Sequence, residues 1–137
     1  MKKIFIASLL FVIGCYENPY PPPTVDETNQ VAQIIWDKLI EFYPRLEGTQ
    51  PLTNIEWRPK WCLKEWGRGC ADGRFDGSKI YCVWYGWSFH ETALTHELNH
   101  YRQQKMKVKI TDDPSPDYTQ QLDIVDRINT FLSYYGY

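Results

Sequence analysis

The chain has 137 residues, of which 43% are hydrophobic and 23% charged, enough for one compact domain and hardly two. Six Trp and ten Tyr argue against a disordered chain and for a small core built from large side chains. A formal net charge of -2 gives no electrostatic basis for holding nucleic acid, and no apolar run reaches the ~18 residues of a membrane-spanning helix.

Met1-Lys2-Lys3, the apolar run Ile4 to Ile13 and then Gly14-Cys15 follow the order of a secretory signal peptide. The end of that segment, Val12-Ile13-Gly14-Cys15, resembles the lipobox of bacterial lipoproteins, with Val12 where the family prefers Leu. The resemblance implies removal of residues 1–14, acylation of Cys15 and attachment to a membrane without a spanning helix. Tyr16 stands where retention signals usually carry Asp, so the same analogy favours the outer membrane of the bacterial cell envelope. Loss of residues 1–14 takes away two Lys and no acid, leaving 13 basic against 17 acidic side chains.

Residues 15–25 then form a tether. Its Asn18-Pro19-Tyr20-Pro21-Pro22-Pro23-Thr24 stretch reads as a polyproline-type spacer that holds the folded part away from the lipid. The remaining cysteines, Cys62, Cys70 and Cys82, would share an oxidising compartment, with one disulfide among three pairings and one thiol left over. Their spacings of eight and twelve residues do not make a zinc knuckle.

Residues 26–137 read as a single small α+β domain. An amphipathic helix is predicted over 26–43, with Val31, Ile34, Ile35, Leu39 and Phe42 at helical intervals and Pro44 as the stop. Residues 45–69 carry turn formers and Trp57, Trp61 and Trp66, with a short strand near Ile55 to Arg58. Asp76-Gly77-Ser78 marks a hairpin turn before the strand formers Lys79 to Tyr85. Ser88-Phe89-His90-Glu91 has the form of a capping box, so a helix is predicted from Phe89 to about Lys105. After a loop over 106–117, a last helix over 119–134 places Leu122, Val125, Ile128, Phe131, Leu132 and Tyr135 in the rhythm of a buried face.

The second helix contains His96-Glu97-Leu98-Asn99-His100. Two His four residues apart lie a turn apart on one helical face, where two imidazoles can hold one metal ion. The Glu between them is placed to hold a water on that ion. Leu94, Leu98 and Tyr101 line the opposite side and let the helix dock on the core.

The motif resembles the active-site helix of the zincin metallopeptidases, so the chain looks like a small zincin-like domain. The resemblance covers about residues 79–118. It implies Zn2+ with His96 and His100 as ligands, Glu97 as general base, and an edge strand before the helix, here Lys79 to Tyr85, that pairs with a peptide or protein substrate.

A catalytic zinc normally takes three protein ligands, and beyond His100 the chain has no His. Thr111-Asp112-Asp113 faintly resembles the Asp-donating loop of the aspzincins, although the Tyr-Gly that should follow is misplaced. The run Asp113 to Tyr118 resembles the Asp-rich loop of small bacterial zincin-like lipoproteins, in which a His often stands where this chain has Tyr118. Asp117 is favoured as third ligand, then Asp113, with Tyr118, Asp112, Asp123 and Asp126 as alternatives. Asp117 is also placed to cap the final helix.

The remaining candidates have plainer readings. His90 turns away from the ligand face as a surface residue, and Tyr101 is core. Lys105, Lys107 and Lys109 form a solvated edge at a helix C-terminus. Trp57, Trp84 and Trp87 serve as packing more readily than as walls of a groove. The expected function is that of a membrane-anchored zinc metalloendopeptidase. The alternative is a non-catalytic envelope lipoprotein that binds glycan or protein through a Trp-rich surface.

Overall fold

The structure is a computed structural model and describes residues 20–58, 72–112 and 116–137, with the side chains of 116–119 excepted. The expected signal peptide, Cys15, Cys62, Cys70, Trp61, Trp66 and Asp113 lie outside the described residues, as do the side chains of Asp117 and Tyr118. The described elements are α1 (Val25–Phe42), β1 (Ile55–Arg58), β2 (Gly73–Phe75), β3 (Ile80–Val83), α2 (Leu94–Lys105) and α3 (Pro116–Tyr134). They make the mixed α+β domain that the pattern predicts, and none of these helices is long and apolar enough to cross a membrane.

Thr24 starts α1. Its Oγ1 accepts the backbone N–H of Glu27 at 3.1 Å, and Asp26 and Glu27 place negative charge at the positive end of the helix. Val31, Ile35 and Leu39 are buried as their spacing predicts, and Trp36 is buried beside them, with its indole N–H donating to Thr49 Oγ1. Phe42 remains partly in solvent, because the helix ends there ahead of Pro44.

The sheet has the order β1-β3-β2. β3 runs parallel to β1 and antiparallel to β2, with Ile80 opposite both Ile55 and Phe75. This corrects one expectation: β3 is the middle strand and is shielded on both sides, and among the described residues β1 and β2 are the edges. Ile80, Cys82 and Val83 are buried, in keeping with a central strand. The β2–β3 turn is closed by Asp76, whose Oδ1 accepts the N–H groups of Ser78 and Lys79 at 2.9 and 2.8 Å.

The capping box does not form. Ser88 makes no side-chain cap bond; Phe89–Glu91 is a separate 3-10 turn closed by Thr92, whose hydroxyl donates to the Phe89 carbonyl at 2.6 Å. α2 begins only at Leu94. Leu94 and Leu98 are fully buried, and Tyr101 packs between Trp36 and Phe75 at ring separations of 5.2 and 6.0 Å. Burying a side chain such as Leu98 stabilises the fold by about 1.5–3 kcal/mol, which holds the helix face-down and leaves its other face for the histidines.

α3 packs against α2 with Ile124, Val125, Ile128 and Leu132 buried, whereas Leu122 and Tyr135 are exposed. Trp57, Trp84 and Phe89 meet edge to face or tilted at 5.4–5.8 Å, which places both tryptophans in packing roles. Part of the expected spacer belongs to the domain: Tyr20 lies on Gly86, a glycine at φ 97°, where a Cβ would collide with the tyrosine ring. His90 is tied in place as well, its Nδ1 2.7 Å from the Tyr137 carbonyl oxygen.

Candidate metal centre

The histidines on α2 converge. His96 Nε2 and His100 Nε2 stand 3.0 Å apart, with the rings nearly perpendicular at 87°. The carboxylate that meets them is Asp112, whose Oδ1 lies 3.2 Å from His96 Nε2 and 3.1 Å from His100 Nε2. One atom from each of the three residues thus forms a near-equilateral triangle. A tetrahedral ion with bonds of about 2.0–2.1 Å keeps its donors about 3.3 Å apart, so the triangle matches such a ligand set to within a few tenths of an ångström. Two imidazoles and a carboxylate are also a donor set that zinc accepts.

The end of α2 explains why Asp112 arrives. Lys107 adopts φ 57°, its N–H donates to the Gln104 carbonyl, and the Val108 N–H donates to the Gln103 carbonyl. These are the two bonds of a Schellman motif, here with Lys instead of Gly at the left-handed position. The chain reverses there, and the five residues to Asp112 can span up to about 17 Å, more than the ~10 Å of helix between His100 and the turn. Asp117, favoured by the sequence pattern, falls in the first turn of α3 and its side chain lies outside the described residues. Asp123 and Asp126 are on α3 and exposed, and the three-residue donor group among the described residues is His96, His100 and Asp112.

Each ligand candidate has a distinct environment. Burial, followed by the neighbouring charge of His100, holds His96 below its ordinary pKa, with Asp112 opposing. That favours the neutral imidazole at pH 7, which has one ring nitrogen with a lone pair to offer. His100 is more enclosed, and its second nitrogen, Nδ1, lies 2.8 Å from Gln103 Oε1. His96 and Asp112 reach solvent and leave one side of the triangle open.

Glu97 is buried under the edge of the sheet. Gly73 of β2 passes so near that a Cβ there would meet the Glu97 side chain. Burial and then the Asp112 charge push the Glu97 carboxyl up to about 8. A divalent cation on the three donors would supply charge of the opposite sign and favour the carboxylate. Opposite Gly73, Cys82 is a free thiol whose pKa burial, then Glu97, raises well above the ordinary value.

Gly73 and Gln103 are the site residues that sequence reasoning passes over. A lone glycine in a three-residue strand carries no periodic signal, and Gln103 reads as one more polar residue near a helix end. No protein-family model, curated protein or solved structure matches the chain.

Proposed function

We propose that this chain is a metal-dependent peptidase, with His96, His100 and Asp112 holding a zinc ion and Glu97 moving the proton. The observation that carries the reading is the triangle of 3.0–3.2 Å formed by two imidazole nitrogens of α2 and one carboxylate oxygen of Asp112 from the segment that follows it. When bound, such an ion would lower the pKa of a water to about 7 and polarise a carbonyl oxygen.

The protein's own residues do the rest. His96 and His100 would hold the ion through Nε2, and their placement on successive turns of one helix fixes the distance between them. The Glu97 carboxylate takes the proton of the attacking water as the new C–O bond forms. It then delivers that proton to the amine nitrogen as the C–N bond breaks. The buried setting of Glu97 keeps bulk water from competing for the proton. β2 is the edge beside Glu97 and supplies the backbone along which an extended peptide could pair. The peptidase would act on peptide or protein substrates at the cell envelope, tethered through an acylated Cys15.

The rival reading, a binding module with a Trp-rich surface, has less support. Trp36, Trp57 and Trp84 pack against the core, and Trp87 is the exposed tryptophan among the described residues. Zinc content and cleavage of a mixed peptide library separate the two readings. Glu97→Gln should keep the metal and lose hydrolysis, whereas His96→Ala should lose both. A Glu97→Gln variant that cleaves as fast as the parent overturns the assignment of the base, and a parent without metal overturns the peptidase.

A further inference from the structure

Gln103 occupies an unusual place for an amide. It lies one turn beyond His100 on α2, is 0% exposed, and shares that side of the helix with core packing. A buried amide costs stability unless both of its ends are bonded. Here both are: Oε1 faces His100 Nδ1 at 2.8 Å, and Nε2 donates to Gln121 Oε1 of α3 at 2.9 Å.

The direction of these bonds decides what His100 can do. With the amide oxygen toward the ring, Nδ1 carries the proton and donates it, which leaves the lone pair on Nε2. Nε2 is the atom that meets His96 and Asp112. If the amide were reversed, its NH2 would face Nδ1, Nδ1 would have to accept, and the proton would sit on Nε2, where a ligand needs its lone pair. Gln121 supports the first arrangement, because its oxygen accepts from the NH2 end of Gln103 and a reversal would require both amides to turn together.

We infer that Gln103 is the positioning residue that fixes His100 in its metal-binding tautomer, with Gln121 holding the far end of its amide. The inference rests on the metal reading above. Through this relay α3, the helix that follows the Asp112 loop, is coupled to a ligand on α2 without touching the ion.

The test is the zinc affinity of the full chain, measured by competition with a chelating indicator dye. Gln103→Leu should weaken zinc binding about 10–100-fold, the usual effect of removing a partner behind a ligand histidine. Gln103→Glu keeps an acceptor toward Nδ1, and the Gln121 amide can turn its NH2 to the other carboxylate oxygen, so affinity should return close to that of the parent, which a merely space-filling role would not explain. Gln103→Leu binding as tightly as the parent, or Gln103→Glu falling as far as Gln103→Leu, overturns the inference. Should Gln103→Leu fail to fold, Gln121→Leu leaves the core position intact and should still weaken zinc; unchanged affinity there is equally fatal. A parent that takes up no more zinc than His96→Ala fails the metal reading itself, an outcome distinct from a parent that binds and a Gln103→Leu variant that binds equally well.

Discussion

Gly73 and Glu97 are packed so closely that a single methyl group at position 73 would stand 2.9 Å from Glu97 Cγ and 3.0 Å from its Oε1. The same methyl would lie 2.8 Å from Ala93 Cβ, so neither the sheet nor the helix has room for it. Gly73→Ala should cost about 1–3 kcal/mol, the usual range for overpacking. It should also displace the Glu97 carboxylate and slow peptide cleavage. Thermal unfolding and hydrolysis measured on the same variant check both; an alanine that changes neither would mean that the strand yields freely.

The third ligand can be decided by two substitutions. Asp112→Ala removes an oxygen 3.1–3.2 Å from both imidazoles and should lower zinc affinity at least as far as the roughly 10–100-fold loss seen for residues behind a ligand. Asp117→Ala should leave it near that of the parent. Equilibrium dialysis against zinc distinguishes them, and the reverse ranking would restore the assignment that the sequence pattern favours.

Lys107 holds a left-handed conformation, at φ 57°, that glycine adopts without steric cost. Lys107→Gly should stabilise the fold by up to about 1 kcal/mol, because relief of the strain outweighs the freedom that glycine gains when unfolded. The metal triangle should survive, since both bonds of the turn come from the backbone. A lower melting temperature in the variant would count against this account.

Asp76 makes the β2–β3 turn sensitive to acid. Hydrogen bonds from the Ser78 and Lys79 backbones hold its carboxyl below the usual value of 3.8. A group whose folded pKa is depressed contributes stability that is present above its unfolded pKa and lost as pH falls through the folded one. Asp76→Ala should therefore be less stable than the parent at pH 7, and the difference should close below pH 3.8. Denaturant unfolding at several pH values reads this directly. A gap that widens in acid would contradict the sign.

Local patterns were legible where a single element decides them. Helical spacing places α1 within a residue at each end, and the strand formers near Ile55 to Arg58 give β1 its bounds. The strand over Lys79 to Tyr85 is legible too, but its rank in the sheet is not, because the parallel pairing with β1 depends on distant residues. Ser88 and Glu91 imitate a capping box; Thr92 wins instead, since its hydroxyl closes a 3-10 turn on Phe89 before the helix can begin.

The candidate site divides in the same way. His96, Glu97 and His100 are fixed relative to one another by the period of one helix. Asp112 is brought in by a reversal at Lys107, where no glycine advertises the turn. The sequence pattern therefore favoured an acid farther along. Gln103 needed both helices in view, because its role depends on Gln121, 18 residues away.

Tyr20 against Gly86 has a mechanical consequence. The polypeptide is clasped to the body of the domain five residues ahead of α1. A pull on the preceding chain would thus load a ring lodged on bare backbone before it strained the Thr24 bond that starts the first helix. The clasp acts as a strain relief, and Gly86 is the seat that makes it fit.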